Sequence, residues 1–157
     1  TVSSCQGASL QPQELQILGK ALNFLQPPLT GEPMVAVVYA SGDPKSRQDA
    51  EDLAKQLHTV RLGGVQVVAR VVGSQSLAAE AFQLVIAADG ADGQSVIAAA
   101  QANHALCVTA NVEAVRIGQC TMAIRSSGKV EIFVNKQAAA ESGIGFATAF
   151  RMMVHEQ

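Results

Sequence analysis

The run Met34-Val35-Ala36-Val37-Val38-Tyr39-Ala40, followed by Ser41-Gly42-Asp43-Pro44, decides how this chain is read. An unbroken apolar and β-branched stretch of that length predicts a strand covered on both faces. The turn after it supplies Asp43 as an N-cap and Pro44 for the first helical position. Ala50, Leu53, Ala54 and Leu57 then make an apolar stripe, which predicts a helix to about His58. The pattern recurs. Residues 65–71 read as a strand, 76–81 as a short helix, 84–88 as another doubly covered strand, 93–103 as an Ala-rich helix and 106–109 as a strand. Strands alternating with helices at this spacing predict parallel βαβ units.

Working outward, Leu15, Leu18, Leu22 and Leu25 fall on one helical face, so a helix is expected over 12–25, stopped by Pro27-Pro28. Beyond the alternating core, 121–125 and 130–134 are joined by Ser126-Ser127-Gly128-Lys129, a turn signal that predicts an antiparallel hairpin at the sheet edge. A helix over about 136–142 ends at Gly143, and Phe146, Phe150 and Met153, at i, i+4 and i+7, predict a last amphipathic turn or two. The expected fold is a three-layer α/β/α sandwich. Its sheet is mostly parallel and Rossmann-like, with a C-terminal antiparallel hairpin. One domain over 1–157 is expected, with 1–10 as a flexible tail.

Composition bounds the function. The chain has 157 residues, 48% hydrophobic and 15% charged, enough to bury about 70% of its unfolded surface in one core. Its net charge of −2 offers no surplus of cations for a phosphate backbone, which argues against nucleic acid. No apolar run is long enough to span a bilayer. A chain that opens on Thr1, with neither a basic nor an apolar stretch in its first ten residues, is read as one whose leader has been removed, compatible with export.

In doubly wound sheets ligands sit beyond the carboxyl ends of the strands, so Ser41, Asp43, Asp89 and Asp92 are the candidate pocket. The competing reading is that each Asp caps the helix after it. A phospho-receiver site needs an acidic pair after the first strand, a phosphorylated Asp, a hydroxyl and a Lys. Asp89 and Thr109 fit, but the acidic pair is missing and Lys129 lies in a hairpin turn. No nucleophile elbow or phosphate loop occurs, and His104 and Cys107 straddle a helix-to-strand junction where their side chains need not meet. His58 and His155 read as helix-end or surface residues, no metal set is visible, and neither a cofactor nor catalysis is expected. Cys107 and Cys120 flank a short loop between two strands. If those strands are neighbours a disulfide is within reach, and two reduced buried thiols are the alternative. Cys5 lies in the tail as a free or partner-linked thiol.

The segment Ile117-Gly118-Gln119-Cys120-Thr121-Met122-Ala123-Ile124, then Lys129 to Asn135, then Ala138 to Gly143-Ile144 and Phe146, resembles the C-terminal signature of the YfiR/HmsC-like periplasmic family. The likeness extends over the chain: Leu18 to Pro27 resembles its opening helix, and Met34–Tyr39 its first strand before a Gly-Asp-Pro turn. The family's Trp before Pro is Gln26 here, and Met122 stands where one of its cysteines is expected. The resemblance implies an exported repressor that holds a membrane-bound diguanylate cyclase inactive through its periplasmic sensor part, acting by docking, alone or as a dimer. Surplus apolar groups at Phe24, Leu25, Phe146, Phe150 and Met153 are the expected partner face, with packing on the sheet as the competing reading. The alternative function is a periplasmic small-molecule-binding domain resembling one lobe of a solute receptor.

Overall fold

The computed structural model describes residues 10–26, 28–126 and 128–156. Of the expected flexible tail at 1–10, residues 1–9, with Cys5, lie outside the described residues, while Leu10 is corrected to core, buried at 3% exposed with Leu15 and Leu18 in its cluster. Two sheets are present. The larger has the order β3-β2-β4-β5-β6-β7-β9, where β2 is Met34–Tyr39, β3 Val68–Gly73, β4 Leu84–Ala87, β5 Leu106–Thr109, β6 Met122–Arg125, β7 Glu131–Val134 and β9 His155–Glu156. Strands β3 to β6 are parallel, β6 and β7 form the expected antiparallel hairpin, and β9 adds parallel to β7. The smaller sheet pairs β1, Leu25–Gln26, with β8, Gly145–Phe146.

Strand β2 explains the layering. Val35 and Val37 join one buried cluster with Leu15, Leu18, Leu53 and Leu57, while Ala36 and Val38 join a second with Val96, Ala99 and Ala100. Successive side chains point to opposite faces of a strand, so both faces must be covered. Helices α1 (Pro12–Leu22) and α2 (Pro44–Thr59) cover the first. Helix α3 (Gly93–Asn103), α4 (Val112–Arg116) and a 3₁₀ turn, Ser74–Ala79, cover the second. The result is the expected α/β sandwich with a mostly parallel, Rossmann-like sheet.

Several local expectations are corrected. Helix α1 stops at Leu22, because Leu25 and Gln26 are drawn into pairing with Phe146 and Gly145. Strand β3 starts three residues later than expected, since the Gly63-Gly64 turn pairs Leu62 with Val65 first. The loop between Cys107 and Cys120 contains α4, capped by Asn111, whose side chain accepts from Glu113 N at 3.0 Å. The hairpin is not the sheet edge, because β9 lies outside it. Helix α5, Lys136–Glu141, ends as expected: Gly143 takes the left-handed φ of +72° that glycine tolerates.

Candidate functional site

The direction of chain growth across the sheet reverses between β2 and β4, which is where this class of fold leaves a crevice for ligands. All four candidate pocket residues, Ser41, Asp43, Asp89 and Asp92, stand exposed along this rim. Three of them have visible structural tasks. Asp43 caps α2, accepting from Lys45 N at 3.0 Å and Ser46 N at 3.2 Å. Asp92 holds the N-cap position of α3 and accepts from Ser95 Oγ at 2.7 Å. Ser41 Oγ accepts from Gln75 N at 3.1 Å.

Two serines that sequence reasoning missed close the crevice. Ser46 Oγ accepts from Ala40 N at 2.8 Å and donates to Asp89 O at 2.7 Å, tying the turn after β2 to the turn after β4. Ser74 Oγ donates to Tyr39 O at 2.9 Å and accepts from Asp92 N at 3.1 Å, tying β3 into the same knot. Both are buried. A signal for Ser46 exists in the sequence: it lies on the apolar stripe continued by Ala50, Leu53 and Leu57, where a hydroxyl must find internal partners.

What remains open beside the knot is a cavity of ≈ 80 Å³ lined by Asp89, Gly93, Thr109, Asn111, Gln119 and Cys120, among others. Organic ligand sites run to roughly 300–1,000 Å³. Thr109 Oγ1 accepts from Asn111 N at 3.0 Å, so this hydroxyl shapes the loop after β5. Among the described residues no group of three His, Cys, Asp or Glu could hold a metal ion.

Cys107 in β5 and Cys120 before β6 are bridged, with Cα atoms 5.1 Å apart. Of the two states open to the sequence, the disulfide is the one present, because α4 folds the intervening loop back so that β5 and β6 pair. Cys107 therefore has no thiol to offer His104.

The expected partner face divides. Leu25 is 4% exposed and Phe150 2%, so both are core, a correction whose cause is the clasp of β1 on β8. Phe24 and Phe146 are half-buried, each packed on Phe150 with ring centroids 5.5 and 5.0 Å apart. Phe146, Phe150 and Met153 do not share one helix: only Thr148–Arg151, α6, is helical between β8 and β9. Met152 and Met153 are open, at 82% and 64%. Beside them a cavity of ≈ 360 Å³ lies among Ile144, Phe146, Phe150 and Val154, with Lys136 and Arg151 at its charged side. Glu156 of β9 sits 3.4 Å from Arg151 Nε and 3.9 Å from Lys136 Nζ. On the opposite face of β7, Arg125 Nη2 donates to Glu131 Oε1 at 2.7 Å and holds that carboxyl below its usual pKa. His155 Nε2 lies 3.2 Å from Glu131, and its ring stacks on Phe133 at 4.8 Å.

Asn135 caps α5 by accepting from Ala138 N at 2.9 Å, while its amide donates to Val115 O at 2.8 Å, so one side chain joins β7, α5 and α4. No helix among the described residues is long and apolar enough to cross a membrane.

No family model matches this chain, and no curated protein does. Among solved structures it is similar to a conserved domain protein from Vibrio cholerae O1 biovar eltor, with a TM-score of 0.62 and 14% identity over 92% of this chain. The match covers 59% of that protein, so the chain spans less than two thirds of its length, and a likeness at this identity shows the fold alone.

Proposed function

We propose that this chain is a periplasmic, non-catalytic signalling regulator that docks on the periplasmic sensor part of an inner-membrane diguanylate cyclase and restrains it. The observation that carries the reading is the closure of the switch-point crevice by Ser46 and Ser74. With the switch-point turns tied to each other by the chain's own hydroxyls, ≈ 80 Å³ is left open there, less than organic ligands take, which favours contacts made by the exposed surface. The disulfide is compatible with an oxidising compartment. Met152 and Met153 offer an adaptable apolar contact of the kind partner surfaces use. The solute-receptor alternative loses its expected pocket, since Asp43 and Asp92 are engaged as helix starts and the remaining cavity is small.

The test is affinity capture of the tagged, exported protein from detergent-solubilised membranes of its own organism, beside a Met152→Glu/Met153→Glu variant. Recovery of a cyclase-bearing membrane protein by the parent and its loss with the variant is the expected result. Recovery no better than a tag-only control overturns the reading.

A further inference from the structure

A second surface stands apart from the methionines. Helix α1 packs so closely on the turn after α2 that a Cβ on Gly19 would lie 3.1 Å from Gly63 N, and one on Gly63 3.0 Å from Gly19 O. Backbone meets backbone, and along this contact runs an open groove of ≈ 540 Å³ lined by Gln16, Lys20 and Asn23 of the α1 side and by Arg61, Gly63 and Gly64 of the turn. Lys20 and Arg61 face it with no ion-pair partner among the described residues, and no carboxylate lines it. Seven of the eleven Lys and Arg residues form salt bridges, as Lys45 does with Asp49, Arg70 with Glu80 and Arg125 with Glu131, and of the four that form none among the described residues two line this groove. Two unneutralised cations converge on one groove of a chain whose net charge is negative.

We propose that this groove is a docking site for an extended acidic segment of a protein partner. Charge complementarity selects the acidic side chains, which Lys20 and Arg61 would take. The groove's other groups select a peptide over a lipid surface. Gln16 and Asn23 lie on the same face of α1 as Lys20 and present amides, which both donate to and accept from peptide groups. Gly64 is exposed, with open space where a side chain would stand, so a main chain can approach it. The proposal rests on the docking reading for its biological partner, and it adds the chemistry that partner must display.

The groove is tested on the purified chain by titrating an isotopically labelled sample, at low ionic strength, with a soluble alternating Glu-Gly peptide and following amide shifts. The expected result is movement concentrated at Gln16, Lys20, Asn23 and Arg61–Gly64, with affinity falling roughly tenfold in a Lys20→Glu/Arg61→Glu variant that keeps the parental spectrum elsewhere. Lys55 and Lys129, which form no salt bridge among the described residues and lie outside the groove, are the internal controls. Equal movement around those two lysines, or binding unchanged in the variant, overturns the proposal. So does a response to phosphatidylglycerol vesicles without one to the peptide. The titration reads the groove alone, so its failure is distinguishable from failure of the membrane capture.

Discussion

The carboxylate of Glu14, at the start of the first helix, accepts from both the backbone N and the Oγ of Ser126 in the hairpin turn, at 3.2 and 3.0 Å, across 112 residues of chain. Its other oxygen accepts from Gln11 N at 2.8 Å. One nearly buried side chain thus begins α1 and fastens it to the β6–β7 connection.

Replacement of Glu14 by Ala removes all three bonds and leaves part-buried donors unpaired, a loss of about 2 kcal/mol. For a chain of this size that lowers Tm by roughly 4–8 °C. Calorimetry of the variant checks it, and an unchanged Tm would mean water replaces the carboxylate without cost.

The Cys107–Cys120 bridge closes a short loop and contributes about 3 kcal/mol in the chain-entropy account. A Cys107→Ala/Cys120→Ala double variant is expected to unfold at lower urea by that amount. With three cysteines and one bridge, thiol titration of the denatured, unreduced protein should find one group, that of Cys5. Three reactive thiols would show the bridge absent from the protein as isolated.

Ser46→Ala strips the bonds to Ala40 N and Asp89 O at a site 2% exposed, at a cost of about 1–3 kcal/mol. The distinguishing readout is local. Amide hydrogen exchange should quicken in the turns after β2 and β4 more than in β5. Uniform acceleration over the whole sheet would mean that the serine acts on global stability alone.

Acid should weaken the hairpin through Glu131. Its folded pKa is lowered, first by the hydrogen bond from Arg125, so its contribution is present above the unfolded value and is lost as pH falls through the folded one. The window lies below the ordinary carboxylate value of 4.5. Urea midpoints measured from neutral pH down to about pH 3 should fall less steeply for Glu131→Gln than for the parent. Parallel curves for the two proteins would remove this residue from the acid response.

The doubly covered strands and the Ala-rich α3 were legible because their signals are local: β-branched runs, an Asp-Pro helix start, a left-handed glycine after α5. What escaped was set by distant partners. Spacing alone puts Phe146, Phe150 and Met153 on one helix, yet Gly145–Phe146 pairs with Leu25–Gln26, over a hundred residues earlier, and breaks that periodicity. Helix α4 carried its marks, an Asn cap with Glu113 and Arg116 bonded to each other along it, but five residues are too few for an apolar period to show. At the candidate site the acids were visible, and Asp43, Asp89 and Asp92 stand exposed in the turns after β2 and β4. That two serines would fill the crevice was not visible, because Ser74 gains its partners only once β2, β3 and β4 lie side by side.

The tie between Glu14 and Ser126, together with the clasp of Leu25–Gln26 on Gly145–Phe146, also orders events in time. Helix α1 leaves the ribosome before the groups that hold it in place, which follow it by more than a hundred residues, have been made. Until they arrive, Leu15, Leu18 and Leu22 present an unshielded greasy stripe. The nascent chain is therefore a natural client for holding chaperones, which would keep it slack until those partners are available.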